Sequence, residues 1–115
     1  MIVDWNSVKM FIKPGSIDFR KQINGLSAHV ANQMKKDVFS GAFYIFASRD
    51  RKKIKIIYWD KNGFCLWQKR LEKDRFPWPI NNDEAMELAF DEFKMLLSGI
   101  DFFKAHKEIE GIKIF

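Results

Sequence analysis

The residues of this chain best suited to chemistry are cations, and they are concentrated in one stretch. Ten of the 20 Lys and Arg but only four of the 15 Asp and Glu lie between positions 49 and 75, so this segment carries +6 and the remainder −1. Cations at this density favour an anionic partner, and a nucleic-acid backbone is the first candidate. The alternative is a solvated edge strand whose charges prevent aggregation between sheets.

Two groups of these cations are expected to meet in space. The pair Asn62-Gly63 indicates a hairpin, and a turn at residues 61–62 would place position 53 opposite position 70 and position 55 opposite position 68. Like charges on paired strands destabilise the pair, which is more expected if an anion neutralises them. We therefore predict a continuous nucleic-acid-binding surface on this hairpin. Its candidate residues are Arg49, Arg51, Lys52, Lys53, Lys55, Lys69, Arg70, Lys73 and Arg75.

Residues that could bind a metal or act as nucleophiles are isolated in the sequence. His29 and His106 have no Cys or His at the spacing of a zinc site. Cys65 is the single cysteine, so an internal disulfide is excluded, and its apolar neighbours Phe64 and Leu66 predict a small core residue. The pattern predicts no metal site and no cofactor.

The carboxylates also favour structural roles. Asp18, Asp60 and Asp101 each lie at the end of an element, where a cap or a turn is the usual function. A two-metal site would need carboxylates that converge around ions about 4 Å apart. The six glycines are scattered at turns and form no phosphate-binding loop. We expect no catalytic residues and no small-molecule substrate, so the protein is not expected to be an enzyme.

Three tryptophans, Trp59, Trp67 and Trp78, lie on or just after the hairpin. Each could stack on a base, worth about 1–3 kcal/mol, if it is exposed. In a domain this small, tryptophans more often belong to the core. Exposure among arginines would favour a nucleic-acid partner, whereas exposure on a neutral face would favour a protein partner.

The length and composition limit the number of domains and the class of protein. A chain of 115 residues predicts a single domain, residues 1–115, and its 47% hydrophobic content predicts a folded core. No run approaches the roughly 20 apolar residues of a membrane span. The N-terminal residues lack the basic and apolar segments of a signal peptide. We expect a cytoplasmic protein that does not bind a membrane.

The elements that must position the cations are expected in the order β-α-β-β-β-α. Strands are predicted at 8–13, 42–48, 53–59 and 64–71, and helices at 19–36 and 84–97. The all-apolar second strand predicts a central position covered on both faces. The expected fold class is α+β, with a single antiparallel sheet and two helices packed on one face.

The expected boundaries rest on local signals. Pro14-Gly15 predicts a turn after the first strand, and Ser16 or Asp18 is expected to cap the first helix. Gly25 within that helix suggests close packing against the sheet. The segment 76–79 contains two prolines and predicts an edge strand or a strap across the core. Asn82 or Asp83 is expected to cap the second helix, and Gly99 is expected to end it. The tail, 100–115, could add a late strand or a strap.

Several motifs jointly resemble those of one protein family. They are Asp18-Phe19-Arg20-Lys21, Gly25-Leu26, Phe39-Ser40-Gly41, Trp59-Asp60-x-x-Gly63-Phe64-x-Leu66-Trp67-x-Lys69-Arg70-Leu71-Glu72, Phe76-x-Trp78-Pro79 and Leu96-Leu97-x-Gly99-Ile100-Asp101-Phe102. This set resembles TnpB, the second-open-reading-frame accessory protein of insertion sequences of the sixty-six type. The resemblance covers about residues 8–102 and leaves 103–115 as an unmatched C-terminal tail.

The resemblance implies a role in bacterial DNA transposition beside a separate, larger transposase with an acidic triad. It implies no catalytic residue for this chain, and it adds Arg20 and Lys21 to the candidate DNA-binding residues. Asp74 departs from the family, where glycine is usual, and its negative charge weakens the local potential. The sequence thus predicts a non-catalytic accessory subunit that binds duplex DNA with modest specificity. The alternative is a protein-interaction subunit that docks on the transposase without touching DNA.

Overall fold

The computed structural model describes residues 7–79 and 85–99, which form a mixed five-stranded sheet with a helix on each face. In chain order the elements are β1 (Met10–Ser16), α1 (Ile23–Asn32), β2 (Phe43–Ala47), β3 (Lys53–Asp60), β4 (Gly63–Arg70), β5 (Met86–Leu88) and α2 (Phe90–Leu97). The strands are ordered β4-β3-β2-β1-β5; β1 and β2 are parallel, and the other described pairs are antiparallel. The α+β class is confirmed, with a mixed sheet in place of a purely antiparallel one.

The two helices cover opposite faces of the sheet, which corrects the expectation that both pack on one face. β2 is buried along its whole length, as predicted, and its residues alternate between two cores. Tyr44 and Phe46 pack with Leu26 and Val30 of α1 on what we call the α1 face. Phe93 of α2 packs on the opposite, α2 face. The parallel β1–β2 pair explains the arrangement, because its crossover helix occupies one face and leaves the other for α2.

The expected turn at Pro14-Gly15 is an irregularity inside β1. The strand continues to Ser16, which is therefore not a helix cap, and its register with β2 shifts between Ile12 and Ser16. Gly15 has φ +72, a conformation that glycine adopts without strain. Proline lacks a ladder donor and is tolerated at such a bulge, so the pair bends the strand without ending it.

Helix α1 is shorter at both ends than the predicted 19–36. The carboxylate of Asp18 accepts the backbone N–H of Arg20 at 3.0 Å, and its carbonyl accepts that of Lys21 at 3.0 Å. These bonds make a separate turn, so the N-cap position falls to Gln22, whose side chain forms no cap hydrogen bond. Lys35, at φ +56, adopts the left-handed conformation just after the other end.

Helix α2 begins later than predicted because a short strand, β5, precedes it and pairs with β1. The helix starts after Ala89, whose N–H is bonded to the Glu92 carboxylate at 2.8 Å. Gly99, at φ +79, follows the helix end as predicted. The expected caps Asn82 and Asp83 and the tail 100–115 lie outside the described residues.

The segment 76–79 forms the strap that its prolines predict. Phe76 and Trp78 are buried in the core of the α2 face. The indole N–H of Trp78 donates to the carbonyl of Lys13 at 2.8 Å, and the N–H of Gly15 donates to that of Pro79 at 2.8 Å. The strap therefore ties the chain after the hairpin to β1.

Candidate nucleic-acid interface

The β3–β4 hairpin brings its two predicted groups of cations together. Lys53 pairs directly with Arg70, and the register continues to Asp60 and Gly63 at the turn. Residues directly opposite each other in an antiparallel pair lie on the same face of the sheet. Lys53 and Arg70 are therefore neighbours on the α1 face, as the position of the turn predicted.

The loop between β2 and β3 is fixed around one carboxylate. Asp50 accepts the hydroxyl of Ser48 at 2.7 Å and the backbone N–H of Lys52 at 3.0 Å. The backbone bond from Lys52, followed by the Ser48 bond, lowers the pKa of Asp50. Arg51, at φ +60, completes the turn and donates its N–H to Ser48. The loop thus holds its cations on an ordered backbone.

The chain that leaves β4 returns beside this loop. Leu71 donates its N–H to the carbonyl of Lys52 at 2.7 Å, and Phe76 donates to that of Arg51 at 2.7 Å. Lys73 and Arg75, which lie between these two bonds, are exposed. The hydrogen bonds place three chain segments side by side, so that the loop, the end of β4 and the segment after it form one basic region.

Arg20 and Lys21 extend this region along the α1 face. The ammonium of Lys53 lies 6.0 Å from the centre of the Phe19 ring, so the turn that carries Arg20 adjoins the hairpin. Arg20 forms a fork-shaped ion pair with Asp18, with Nη2 to Oδ2 at 2.7 Å, while remaining largely exposed. The Arg20 hydrogen bonds lower the pKa of Asp18 to about 2.

These residues define what we call the basic surface. It comprises Arg20, Lys21, Arg49, Arg51, Lys52, Lys53, Arg70, Lys73 and Arg75. The carboxylates of Asp18, Asp50, Glu72 and Asp74 accompany them, so nine cations and four anions leave a formal +5. Arg70 is paired with Glu72 at 2.9 Å, but both side chains are more than half exposed and the pair is open to exchange.

Lys55 is a correction to the predicted site, because its ammonium faces the protein interior. Only 2% of the residue is exposed. Its Nζ donates to the carbonyls of Phe19 and Lys21 at 2.8 and 2.9 Å and lies 4.4 Å from the Phe19 ring centre. Burial, and next the charge of Lys53, lower the pKa of Lys55. It clamps the turn before α1 to the sheet and presents no charge to an external phosphate.

Lys69 also has a structural role. It pairs with Ile54, on the α2 face, and is therefore on the opposite side of the sheet from Lys53 and Arg70. Its ammonium donates to the carbonyl of Leu97 at 2.7 Å, at the C-terminal end of α2. A cation there satisfies an unpaired carbonyl and complements the helix dipole.

The three tryptophans have different environments. Trp78 is a core residue, whereas Trp67 is 40% exposed on the α2 face, away from the basic surface. Trp59 is half-buried in an aromatic cluster with Phe64 and Phe39, which is 58% exposed. From the sequence, Phe39 is predicted only as part of a turn, because nothing in the sequence distinguishes an exposed phenylalanine from the other eleven.

A shallow depression of about 660 Å³ lies beside the basic surface on the α1 face. It is lined by the start of α1 and by Leu66 of β4, with Arg20 and Lys21 at its wall. A methyl group on Gly25 would approach Lys21 Cβ and Cγ at 3.1 Å. The tight contact of Gly25 is thus with the Lys21 side chain rather than with the sheet.

The groups suited to acid–base chemistry are dispersed. Among the described residues, no three His, Cys, Asp or Glu side chains are grouped where they could hold a metal ion. His29 packs against Phe46 with ring centres 5.7 Å apart, and burial followed by the charges of Lys13 and Lys21 lowers its pKa. Asp101 and His106 lie outside the described residues.

Cys65 is a free thiol, and it is only partly buried, in contrast with the predicted core position. It pairs with Tyr58 across the hairpin. Burial, followed by the contact with Cys65, raises the pKa of Tyr58. No helix within residues 7–79 and 85–99 is long and apolar enough to cross a membrane.

Comparison with known proteins places these features in a family context. The model of the family described as IS66 Orf2 like protein matches residues 8–107. An uncharacterized protein of Sinorhizobium fredii, y4jC, is 29% identical over 108 residues, which cover 94% of this chain and 92% of that protein. A second uncharacterized protein of the same organism, y4hO, is 31% identical over 102 residues that cover 89% of each chain. No solved structure matches.

Proposed function

Because this chain belongs to the IS66 Orf2-like family and so has an accessory role in an insertion sequence, we propose that it is a non-catalytic DNA-binding subunit of the transposition complex. Its basic surface would contact the phosphates of duplex DNA. The larger transposase of the same element would carry out the cutting and joining and is the expected protein partner.

The observation that carries the proposal is the convergence of cations from four chain segments. The turn before α1, the β2–β3 loop, the end of β4 and the segment after it carry nine Lys and Arg, and backbone bonds together with the Lys53–Phe19 contact bring these segments together. Phosphate contacts from such side chains give affinity and position without reading bases. We therefore expect binding with modest preference among sequences.

The carboxylates near this surface support the non-catalytic part of the proposal. Asp18 and Asp50 each accept hydrogen bonds within a separate turn, and Asp60 lies at the hairpin turn, at the far end of β3. Two-metal phosphoryl transfer needs carboxylates that converge on adjacent ions. Pure protein with Mg²⁺ should leave supercoiled DNA intact; nicking that is lost on Asp60→Ala would contradict this.

A salt titration of DNA binding tests the proposal. Binding should be salt-sensitive, and if four to six phosphates are neutralised, log affinity should fall against log salt with a slope of about −4 to −5. A duplex from the ends of the element and an unrelated duplex should give similar slopes. Absence of binding at low salt would contradict the proposal.

A second candidate function is docking on the transposase without DNA contact. Trp67 and Met95 favour it, because they are 40% and 39% exposed and belong to the α2 face and helix α2 rather than to the basic surface. Buried aromatic residues often anchor protein interfaces. Trp67→Ala should weaken transposase binding and leave DNA binding unchanged if this surface is used.

A further inference from the structure

Three aromatic side chains form an open cluster at the turn end of the β3–β4 hairpin. Phe39 lies 5.0 Å from Trp59 and 5.5 Å from Phe64, and the last two rings are 4.9 Å apart, all between ring centres. Phe39 is the most exposed large apolar residue among those described, at 58%. We call these three residues the aromatic turn. In this cluster the ring of Phe39 is exposed to solvent and packs against Trp59 and Phe64.

The backbone holds Phe39 in this exposed position. Its N–H donates to the Asp37 carboxylate at 3.0 Å, and the Asp37 carbonyl accepts the hydroxyl of Tyr44 at 2.9 Å. Ser40 accepts the N–H of Ala42 at 3.2 Å through its hydroxyl. The residue before Phe39 is buried and anchors the turn. An exposed phenyl ring contributes little to folding, so a fixed turn that displays one suggests a ligand.

The aromatic turn shares a face with the basic surface. Trp59 and Phe64 pair with each other on the α1 face, as do Lys53 and Arg70, six residues away along each strand. At about 3.3 Å per residue the two ends are roughly 20 Å apart. The depression beside Leu66 lies between them on this face. A DNA strand on the basic surface can therefore continue along the depression to the aromatic turn.

An exposed cation next to the aromatic turn favours a nucleic acid over an apolar protein side chain. Lys61 is exposed in the hairpin turn that joins the strands of Trp59 and Phe64, and Lys35 is exposed before Phe39, against Asp37 and Asp60. The Lys36 ammonium, in contrast, lies 4.5 Å from the Phe11 ring centre. Cations beside an open aromatic ring suit a base together with its phosphate. A duplex keeps its bases stacked internally, so the ring needs an unpaired base.

We propose that the aromatic turn stacks on an unpaired nucleobase of a DNA strand whose adjoining phosphates lie on the basic surface. This inference rests on the proposed DNA-binding function and adds a preference for a junction between duplex and single strand. The ligand class is a nucleobase in a short unpaired segment, whatever its identity, since every base offers a ring face.

Three DNAs that share one duplex separate the stacking step from phosphate binding. One is blunt, one carries a short overhang, and one carries the same overhang with abasic sites, which keep every phosphate and remove the bases. The base-containing overhang should bind about 5- to 150-fold more tightly than the abasic one. It should also quench tryptophan fluorescence, because Trp59 supports the ring of Phe39.

Substitutions at Phe39 test the assignment of the ring. Phe39→Ala should abolish the difference in affinity between the two overhangs and leave the blunt-duplex affinity unchanged. Phe39→Leu should also lose most of the difference between the overhangs, because no ring remains. Met95→Ala is the matched control, since Met95 is exposed on α2. Thermal unfolding of each variant verifies folding.

Each outcome decides between the hypotheses. Equal affinity for the two overhangs, with salt-sensitive blunt-duplex binding retained, overturns the stacking inference and leaves the proposed function standing. Absence of any salt-sensitive duplex binding overturns both. If Phe39→Ala leaves all DNA affinities intact but weakens binding to the transposase, the aromatic turn is a protein-docking site.

Discussion

At the scale of single residues, two lysines only two positions apart on β3 differ in where their charge is held. Lys53 is partly exposed beside Arg70, whereas Lys55 gives two hydrogen bonds to backbone carbonyls inside the protein. Both side chains are on the α1 face. The difference arises because the turn at 18–21 folds over Lys55, and the local sequence around each lysine does not show this.

Lys53→Met and Lys55→Met form a matched pair that tests these roles. Lys55→Met leaves two carbonyls without their donor and should lower the free energy of unfolding by about 1–3 kcal/mol, measured by chemical denaturation. Lys53→Met should change stability little but flatten the salt dependence of DNA binding by about one unit. The reverse pattern would refute the assignment.

Asp18 restrains a cation of the basic surface, and Asp18→Asn should release it. The asparagine can still accept the backbone N–H of Arg20, so the turn is expected to survive. DNA affinity should rise and the salt dependence should steepen, because the Arg20 guanidinium loses its partner. Asp74→Asn is the control: it removes the same charge from the basic surface, but from a carboxylate for which the described part of the chain shows no ion pair, so it should raise DNA affinity less than Asp18→Asn.

The same substitution has a signature in the pH dependence of stability. The pKa of Asp18 is about 2 in the folded protein, below its ordinary value of 3.8. A lowered folded-state pKa contributes stability above the unfolded-state value, and this contribution is lost as pH falls from about 4 towards 2. Asp18→Asn should therefore reduce the stability lost across that interval, followed by denaturation at several pH values. An unchanged profile would contradict the ion pair.

At the scale of elements, the hairpin could be predicted because its register is local. Asn62-Gly63 indicates the hairpin, and counting outwards from a turn at residues 61–62 places Lys53 opposite Arg70. The strap at 76–79 was predictable for a similar reason, since proline excludes it from the interior of a sheet. In both cases a short-range chemical constraint determines the geometry.

Strand direction and helix placement could not be predicted in the same way. Nothing local distinguishes a parallel β1–β2 pair from an antiparallel one, and this choice places the helices on opposite faces. Asp18 looks like a helix cap but forms its own turn, because an Asp side chain can bond backbone in either setting. From the sequence Lys69 is predicted to contact DNA, but its ammonium is bonded to the carbonyl of Leu97 in α2, a contact that the local sequence does not show.

The N-terminus of α1 offers a prediction at this scale. Gln22 occupies the N-cap with extended backbone angles but forms no side-chain cap bond. Gln22→Ser should supply the missing acceptor and raise the free energy of unfolding by about 1 kcal/mol. Gln33→Ser makes the same change at the C-cap, where no N–H groups need an acceptor, and should not stabilise. Equal effects at both ends would rule out capping as the cause.

At the scale of the whole molecule, charge and aromatic side chains are distributed between functional regions on one face. The basic surface lies at the open end of the hairpin and the aromatic turn at its closed end, while α1 covers the core between β1 and β4. The opposite face carries α2, the strap and Trp67. Under the proposed function, this division would let one chain hold DNA on the α1 face and leave the α2 face for a protein partner.

The whole-molecule prediction concerns how the cations of the basic surface combine. Arg49→Ala, Lys53→Ala and Arg70→Ala remove charges from the β2–β3 loop, β3 and β4 respectively. Each should flatten the salt dependence by about one unit and weaken all DNA sequences alike, because each removes one phosphate contact. The triple variant should lose about three units and leave a slope of roughly −1 to −2.

Lys94→Ala, on α2, is the matched control, because it removes the same charge from an element outside the basic surface. It should leave the slope within about half a unit of the wild type, since it removes no phosphate contact. Binding measured by fluorescence anisotropy across a salt series gives the slopes of the wild type and the five variants. A triple variant with the wild-type slope would show that DNA binds another surface. A control that flattens the slope as much as Arg49→Ala would show that DNA responds to the net charge, whatever the positions of the cations.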